Sequence, residues 1–135
     1  MKKYTLNTLL FFLTINLLSS QNLDSLYVSR LNDTIISKYL NEKRAIEIQL
    51  PRSYEIEVNK NYPLMIVLDG DYMFNIVSGS VDYLSYWGDI PENLVVGINQ
   101  KDTRFQDSSV FDNITFTPIS STASFYDFIV NELIP

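Results

Sequence analysis

The chain contains no histidine, no cysteine and no Gly-x-Ser-x-Gly run. Without cysteine there is no disulfide framework and no N-terminal cysteine for lipid attachment, so stability rests on burial alone. Without histidine, no serine in the chain has the partner that usually takes its proton. Basic residues are scarce too, 10 Lys and Arg standing against 16 Asp and Glu. Beyond the N-terminus the one adjacent basic pair is Lys43-Arg44, with Arg52 and Lys60 apart from it. A phosphate backbone requires clustered cations, so no nucleic-acid partner is expected. The acidity otherwise speaks to solubility. A membrane-spanning run is also missing: the apolar stretch Leu9 to Leu18 is about half of the roughly 20 residues a spanning helix needs, and Asn16 interrupts it.

That short stretch has another use. Lys2 and Lys3 precede it and the small residues Ser19 and Ser20 follow, which is the layout of a secretory signal peptide over residues 1–20. Cleavage near Ser20/Gln21 leaves residues 21–135 as one exported domain, periplasmic or secreted from a bacterium, with no stable membrane span. It also removes two lysines and takes the formal charge from −6 to −8. The rest, in a chain 46% hydrophobic and 13% aromatic, can build a packed core. Asn32-Asp33-Thr34 and Asn113-Ile114-Thr115 match the glycosylation acceptor pattern but read as plain surface loops in such a context.

Hydrophobic patterning predicts an α/β organisation without internal repeats. Thr34-Ile35-Ile36 is the best early strand candidate, and Ala45 to Leu50 alternates apolar and polar with period two, the mark of a half-buried antiparallel strand. Pro51 ends it, since proline donates nothing to a ladder. Leu64 to Leu68 and Leu94 to Ile98 are continuously apolar, as strands covered on both faces by helices should be, and are expected to be parallel neighbours. Between them Met73, Val77, Val81 and Leu84 recur at helical spacing behind Asp71 as N-cap, predicting a crossover helix from Tyr72 to about Trp87 and a right-handed βαβ unit. Residues 101–120 show no period and read as a long surface excursion. Phe125, Phe128, Ile129 and Leu133 then share one face of a helix opened by Ser120, Ser121 or Thr122.

The candidate site lies where Tyr62 to Leu68 stops at Asp69-Gly70-Asp71, a polar turn at the carboxyl end of a strand, where α/β sheets place ligands. The residues leave two chemical readings open beside a plain helix-capping turn. In one, glycine permits a sharp turn and the amides of Gly70, Asp71 and Tyr72 at a helix N-terminus stabilise an anion. In the other, Asp69 and Asp71 act through their carboxylates, as metal ligands or as a nucleophile and acid pair in a Mg-dependent phosphatase of the haloacid-dehalogenase type. That family places its Asp-x-Asp on the first strand and follows it with Gly and Thr or Val, whereas here strands precede it and Tyr72-Met73 follow. Tyr83, Tyr86 and Trp87 are candidates to line a cleft or to pack in the core or an interface.

The order of signals resembles the esterase D and enterochelin esterase-like branch of the α/β-hydrolase superfamily. The matching residues are Arg44 to Leu50-Pro51 with Ser53-Tyr54-Glu55; Tyr62-Pro63 into Val67-Leu68-Asp69-Gly70-Asp71; Ile90-Pro91 into Val95-Val96-Gly97-Ile98; Arg104 with Asp107; and Phe125 to Glu132-Leu133-Ile134-Pro135. The family loop after the Arg tends to read Asp-Leu-Thr-Pro, from which Asp107-Ser108-Ser109-Val110 departs. The resemblance implies the N-terminal half of such a fold: antiparallel first strands, then a parallel βαβ unit. It implies an oxyanion-hole loop at Gly70, Asp71 and Tyr72, a pocket near Asp69, Arg104 and Asp107 with Arg104 pairing Asp107 across a turn, and no metal or cofactor. The substrate of the complete enzyme would be a small carboxylic ester, attacked by a serine.

The serine elbow, acid and histidine follow that half in the family, so residues 1–135 should be inactive alone. Ser120, Ser121 and Ser124 then read as capping or loop residues. The remaining alternatives are the phosphatase and a non-catalytic secreted binding domain. An uncovered sheet predicts marginal stability or self-association.

Overall fold

Alternating side chains pair the first two strands. In the computed structural model, which describes residues 28–112, 114–117 and 120–134, β1 (Arg30–Ser37) and β2 (Glu42–Gln49) form an antiparallel hairpin in the register Arg30↔Gln49 to Ser37↔Glu42. The segment read as a signal lies outside the described residues. The hairpin turn places Asn41 in the left-handed region at φ 54°, which asparagine tolerates better than most side chains. The Ser37 hydroxyl accepts the Leu40 amide there at 2.9 Å. β2 begins three residues before the expected alternating run, and its inward positions include Arg44 and Ile46, both buried.

β3 (Leu64–Val67) and β4 (Leu94–Ile98) are parallel neighbours, Leu64↔Leu94 to Val67↔Gly97, as their apolar runs predict. β4 also pairs antiparallel with β2, Ile46↔Ile98 to Gln49↔Val95, giving the mixed sheet β1-β2-β4-β3. The crossover helix α1 (Gly70–Tyr86) joins β3 to β4. Phe74 and Val81 of α1, with Met73 and Val77 beside them, pack on Met65, Val67 and Val95. At Gly97 a Cβ would stand 2.7 Å from Phe74 Cδ2, so glycine is what lets this ring lie flat on the sheet. The opposite face is covered by α3 (Ser121–Phe128), which runs into a wider π turn over Ile129–Leu133. Phe125, Phe128, Ile129 and Leu133 meet Ile35, Leu40, Ile66 and Ile98, so the face expected of this helix is the face it buries.

Three expectations are corrected. α1 starts two residues before Tyr72: Asp69, not Asp71, holds the cap position, with a left-handed backbone (φ 54°, ψ 43°) and no side-chain cap bond. The tight exit from β3 requires this reversal, and aspartate is among the residues that tolerate it. Second, β3 is not covered on both faces throughout. It ends the sheet among the described strands, leaving Leu64 39% exposed, and it stops before Leu68, which is 46% exposed. Third, the segment after β4 is not wholly irregular. A short helix α2 (Arg104–Ser108) forms where the Gln100 carbonyl accepts the Thr103 and Arg104 amides at 3.0 and 2.9 Å. No helix among the described residues is long and apolar enough to cross a membrane.

Candidate active site

The Asp69-Gly70-Asp71 turn is held from the far side by the segment that follows β4. Gly70 stands directly against the end of β4 and the residue after it: a Cβ on it would lie 2.7 Å from Asn99 Oδ1 and 2.9 Å from both Gly97 C and Ile98 N. Two of those three atoms are backbone, so any larger residue would lever the turn off β4. The Asp69 carbonyl accepts the amides of Tyr72 (3.2 Å) and Met73 (2.9 Å). Of the three amides singled out in the sequence, that of Tyr72 is therefore engaged in the turn. Gly70 and Asp71 contribute the first two amides of the helix, which have no intrahelical acceptor. They carry the positive end of a 17-residue helix at the carboxyl end of a strand.

The carboxylates of this turn diverge. Asp71 Oδ1 accepts the Gln100 amide at 3.0 Å, whereas Asp69 Oδ2 faces the Arg104 guanidinium at 3.3 Å. Arg104 also donates to the Tyr72 hydroxyl at 3.1 Å. Carboxylates engaged by separate partners, the Gln100 amide and Arg104, are not the converging ligands a phosphatase of the Asp-x-Asp kind requires. Among the described residues no cluster of three Asp and Glu side chains gathers to hold a metal.

The pairing of Arg104 with Asp107 does not form. Arg104 points outward, 63% exposed, while Asp107 points inward, 4% exposed, to Arg44 on β2. Arg44 Nη1 and Nη2 take the two oxygens of Asp107 in a fork, the Nη2 contact measuring 3.0 Å, and Nη2 also meets Glu42. The guanidinium is half-sandwiched by the Phe125 ring, 5.5 Å from its centroid. Burial alone would lower the Arg44 pKa, but bonds to Asp107 and Glu42 outweigh it and raise the value. Spacing i, i+3 would let the two meet on a helix, but Arg44, Gln100 and Thr103 take Asp107, and Arg104 turns to Asp69 and Tyr72 instead.

Gln100, which sequence reasoning passed over, joins the two halves. Its Nε2 donates to Asp107 Oδ2 at 2.8 Å and its Oε1 accepts the Asp69 amide at 3.0 Å. Thr103 Oγ1 adds a bond to the same Asp107 oxygen at 2.9 Å. The one signal pointing here is the arginine at an inward position of an alternating strand, which requires a buried acid somewhere downstream. Beside this network a cleft of about 300 Å³ opens between Tyr39, Leu40, Glu42, Thr103, Asp107 and Ser121. Asp107 alone of the three expected pocket residues lines it.

The serines and aromatics fall elsewhere. Ser120 occupies the cap position of α3 without a side-chain bond, and the Ser121 hydroxyl is buried with no partner. Tyr83, Tyr86 and Trp87 are exposed, which overturns core packing for them and leaves interface packing untested. They sit at the other end of α1, more than about 20 Å from Asp69 at 1.5 Å per residue, and so line no cleft with the turn. Arg52 covers Tyr86 at 5.2 Å and pairs with Asp82 at 2.8 Å.

A mixed sheet opening with an antiparallel hairpin, a parallel βαβ unit and helices on both faces give the chain an α/β-hydrolase-like fold. The chain belongs to the esterase family: the family model described as Putative esterase matches residues 37–135. It is similar to the crystal structure of an uncharacterised protein from Capnocytophaga ochracea, with 30% identity and a TM-score of 0.67 over 79% of this chain and 28% of that one. An IroE-like serine hydrolase from Shewanella oneidensis shares the fold at 24% identity and a TM-score of 0.64, over 79% of this chain and 37% of that one. The ferric enterobactin esterase of Salmonella typhimurium shares it at 23% identity and 0.60, over 81% and 25%. The chain thus spans between a quarter and two-fifths of these structures' own lengths. No curated protein matches it.

Proposed function

We propose that this chain is the N-terminal portion of an exported serine esterase and supplies one side of its oxyanion hole. The observation that carries the reading is the placement of the Gly70 and Asp71 amides, the first of a 17-residue helix, at the carboxyl end of β3. In acyl transfer by this fold, one oxyanion donor comes from this strand-to-helix loop and the other from the residue after the nucleophile. A serine attacking the ester carbonyl carbon drives negative charge onto the carbonyl oxygen. Donors already aimed at that oxygen stabilise the charge without reorganising, and losing one costs roughly 10² to 10³ in kcat. The serine, acid and histidine lie on sequence following these elements, and the substrate is a small-molecule carboxylic ester.

By itself the chain has no base to activate a serine, so p-nitrophenyl esters should not be hydrolysed by the 135-residue protein. Joining it to a segment carrying Gly-x-Ser-x-Gly, an acid and a histidine should restore hydrolysis. Esterase activity of the chain alone would refute the division of labour. Export is tested by expression in a Gram-negative host, where the periplasmic product should begin at Gln21 by mass spectrometry; a full-length cytoplasmic product would refute it.

A further inference from the structure

We propose that Gln100 is a positioning residue for the oxyanion loop, transmitting the fixed location of the buried Arg44–Asp107 pair to the backbone of Asp69. The inference rests on the esterase reading of the loop. Asp69 is the residue whose backbone is left-handed, at φ 54°, and a non-glycine residue in that region holds only when its surroundings over-determine it. Gln100 grips this turn twice: its Oε1 takes the Asp69 amide at 3.0 Å and its own amide reaches Asp71 Oδ1 at 3.0 Å. The two residues held are those flanking Gly70, so the direction of the Gly70 and Asp71 amides follows from where Gln100 stands.

Gln100 is in turn immobilised. It is 2% exposed, and Asp107 Oδ2 takes its Nε2 at 2.8 Å while also receiving Arg44 and Thr103. A primary amide suits the task because it offers a donor to the carboxylate and an acceptor to the backbone N–H at once. Arg104 touches the same turn from outside, but it is exposed and its contact with Asp69 is one that solvent screens. Gln100 is therefore the link that sets the turn, and Arg104 a minor one.

Gln100→Met keeps the length and removes both side-chain bonds. In the 135-residue chain, amide hydrogen exchange at Asp69 should accelerate at least tenfold in Gln100→Met, with the exchange rates of the β4 amides unchanged. In the esterase assembled with a serine-elbow segment, kcat per titrated active site should fall about 10- to 100-fold with KM within about twofold, the size expected when oxyanion donors lose their aim. Glu92→Gln, remote from the loop, should leave kcat unchanged. Unaltered Asp69 exchange, or a kcat loss that vanishes once counted per titrated site, would overturn the inference. An assembled wild-type protein without activity would count against the esterase reading instead, and the Asp69 exchange rate in the chain would still decide the role of Gln100.

Discussion

Gly70 shows how much one missing methyl group controls. A Cβ there meets backbone atoms of Gly97 and Ile98 at 2.9 Å, and backbone cannot swing aside as a side chain can. Gly70→Ala should cost about 1–3 kcal/mol by overpacking, visible as a lowered urea midpoint with an unchanged slope. Arg44 and Asp107 make the opposite case, a pair whose loss leaves a buried charge. Asp107→Ala should destabilise by about 3–5 kcal/mol, and Arg44→Lys should not rescue the fork, because an ammonium cannot bind both oxygens in plane. Equilibrium unfolding by circular dichroism checks both. At this scale the sequence was only partly legible. The alternation of Ala45 to Leu50 placed the strand, and extending that period back to Arg44 puts a cation inside. Nothing in the local sequence marks Gln100 or Asn99, because their roles come from neighbours far along the chain. Arg104 and Asp107 were legible as a feature but not as non-partners, since their spacing permits a pair and nothing nearby shows that Arg44, far back in the chain, takes the acid.

Elements were legible where hydrophobic period and length agree. The strands 64–67 and 94–98, α1 and the face of α3 all follow from runs of apolar residues whose spacing admits one reading. Boundaries were less so: the cap shifted to Asp69 because tertiary contact with Gln100 competes with the usual side-chain capping. Between elements, Glu92 clasps the loop after β2 to the start of β4. It accepts the Ser53 amide at 3.2 Å and the Lys60 ammonium at 2.8 Å, and it meets the Ser53 hydroxyl, which also lies 2.8 Å from the Tyr62 hydroxyl. Burial would raise the Glu92 pKa, but Lys60 and Ser53 outweigh it and hold the value below the ordinary one. An unfolded glutamate titrates near about 4.3. The clasp therefore contributes fully above that value, and its contribution is lost as the pH falls through the lower folded value. Partial exposure limits it to about 1 kcal/mol. Glu92→Gln should lower stability at pH 7, and by progressively less as the pH falls below about 4.3, which a series of urea titrations at decreasing pH would show.

At the scale of the whole molecule, the order of signals carried the family even though each motif is weak, because strand, polar turn, helix and strand in fixed sequence leave few alternatives. What composition could not convey is where the sheet stops. β3 forms one edge of the four-stranded sheet, with β4 on one side and no strand on the other among the described residues. Leu64 at its start and Leu68 just beyond its end are substantially exposed, as are Tyr72 and Ile76 on the adjoining helix. An edge strand offering free backbone donors and acceptors beside apolar side chains pairs readily with another chain. The 135-residue chain alone should therefore self-associate at micromolar concentration, with sedimentation coefficients rising with concentration. Leu64→Lys puts a charge on that edge, which must be desolvated when a second strand approaches, and should shift the distribution toward monomer. Gly79→Lys, on a stretch of α1 where a Cβ meets nothing within 4 Å, adds the same charge away from the edge and should not. If both substitutions dissolve the assemblies equally, net charge rather than the open edge governs association; a wild-type chain monomeric across the range removes the edge argument altogether.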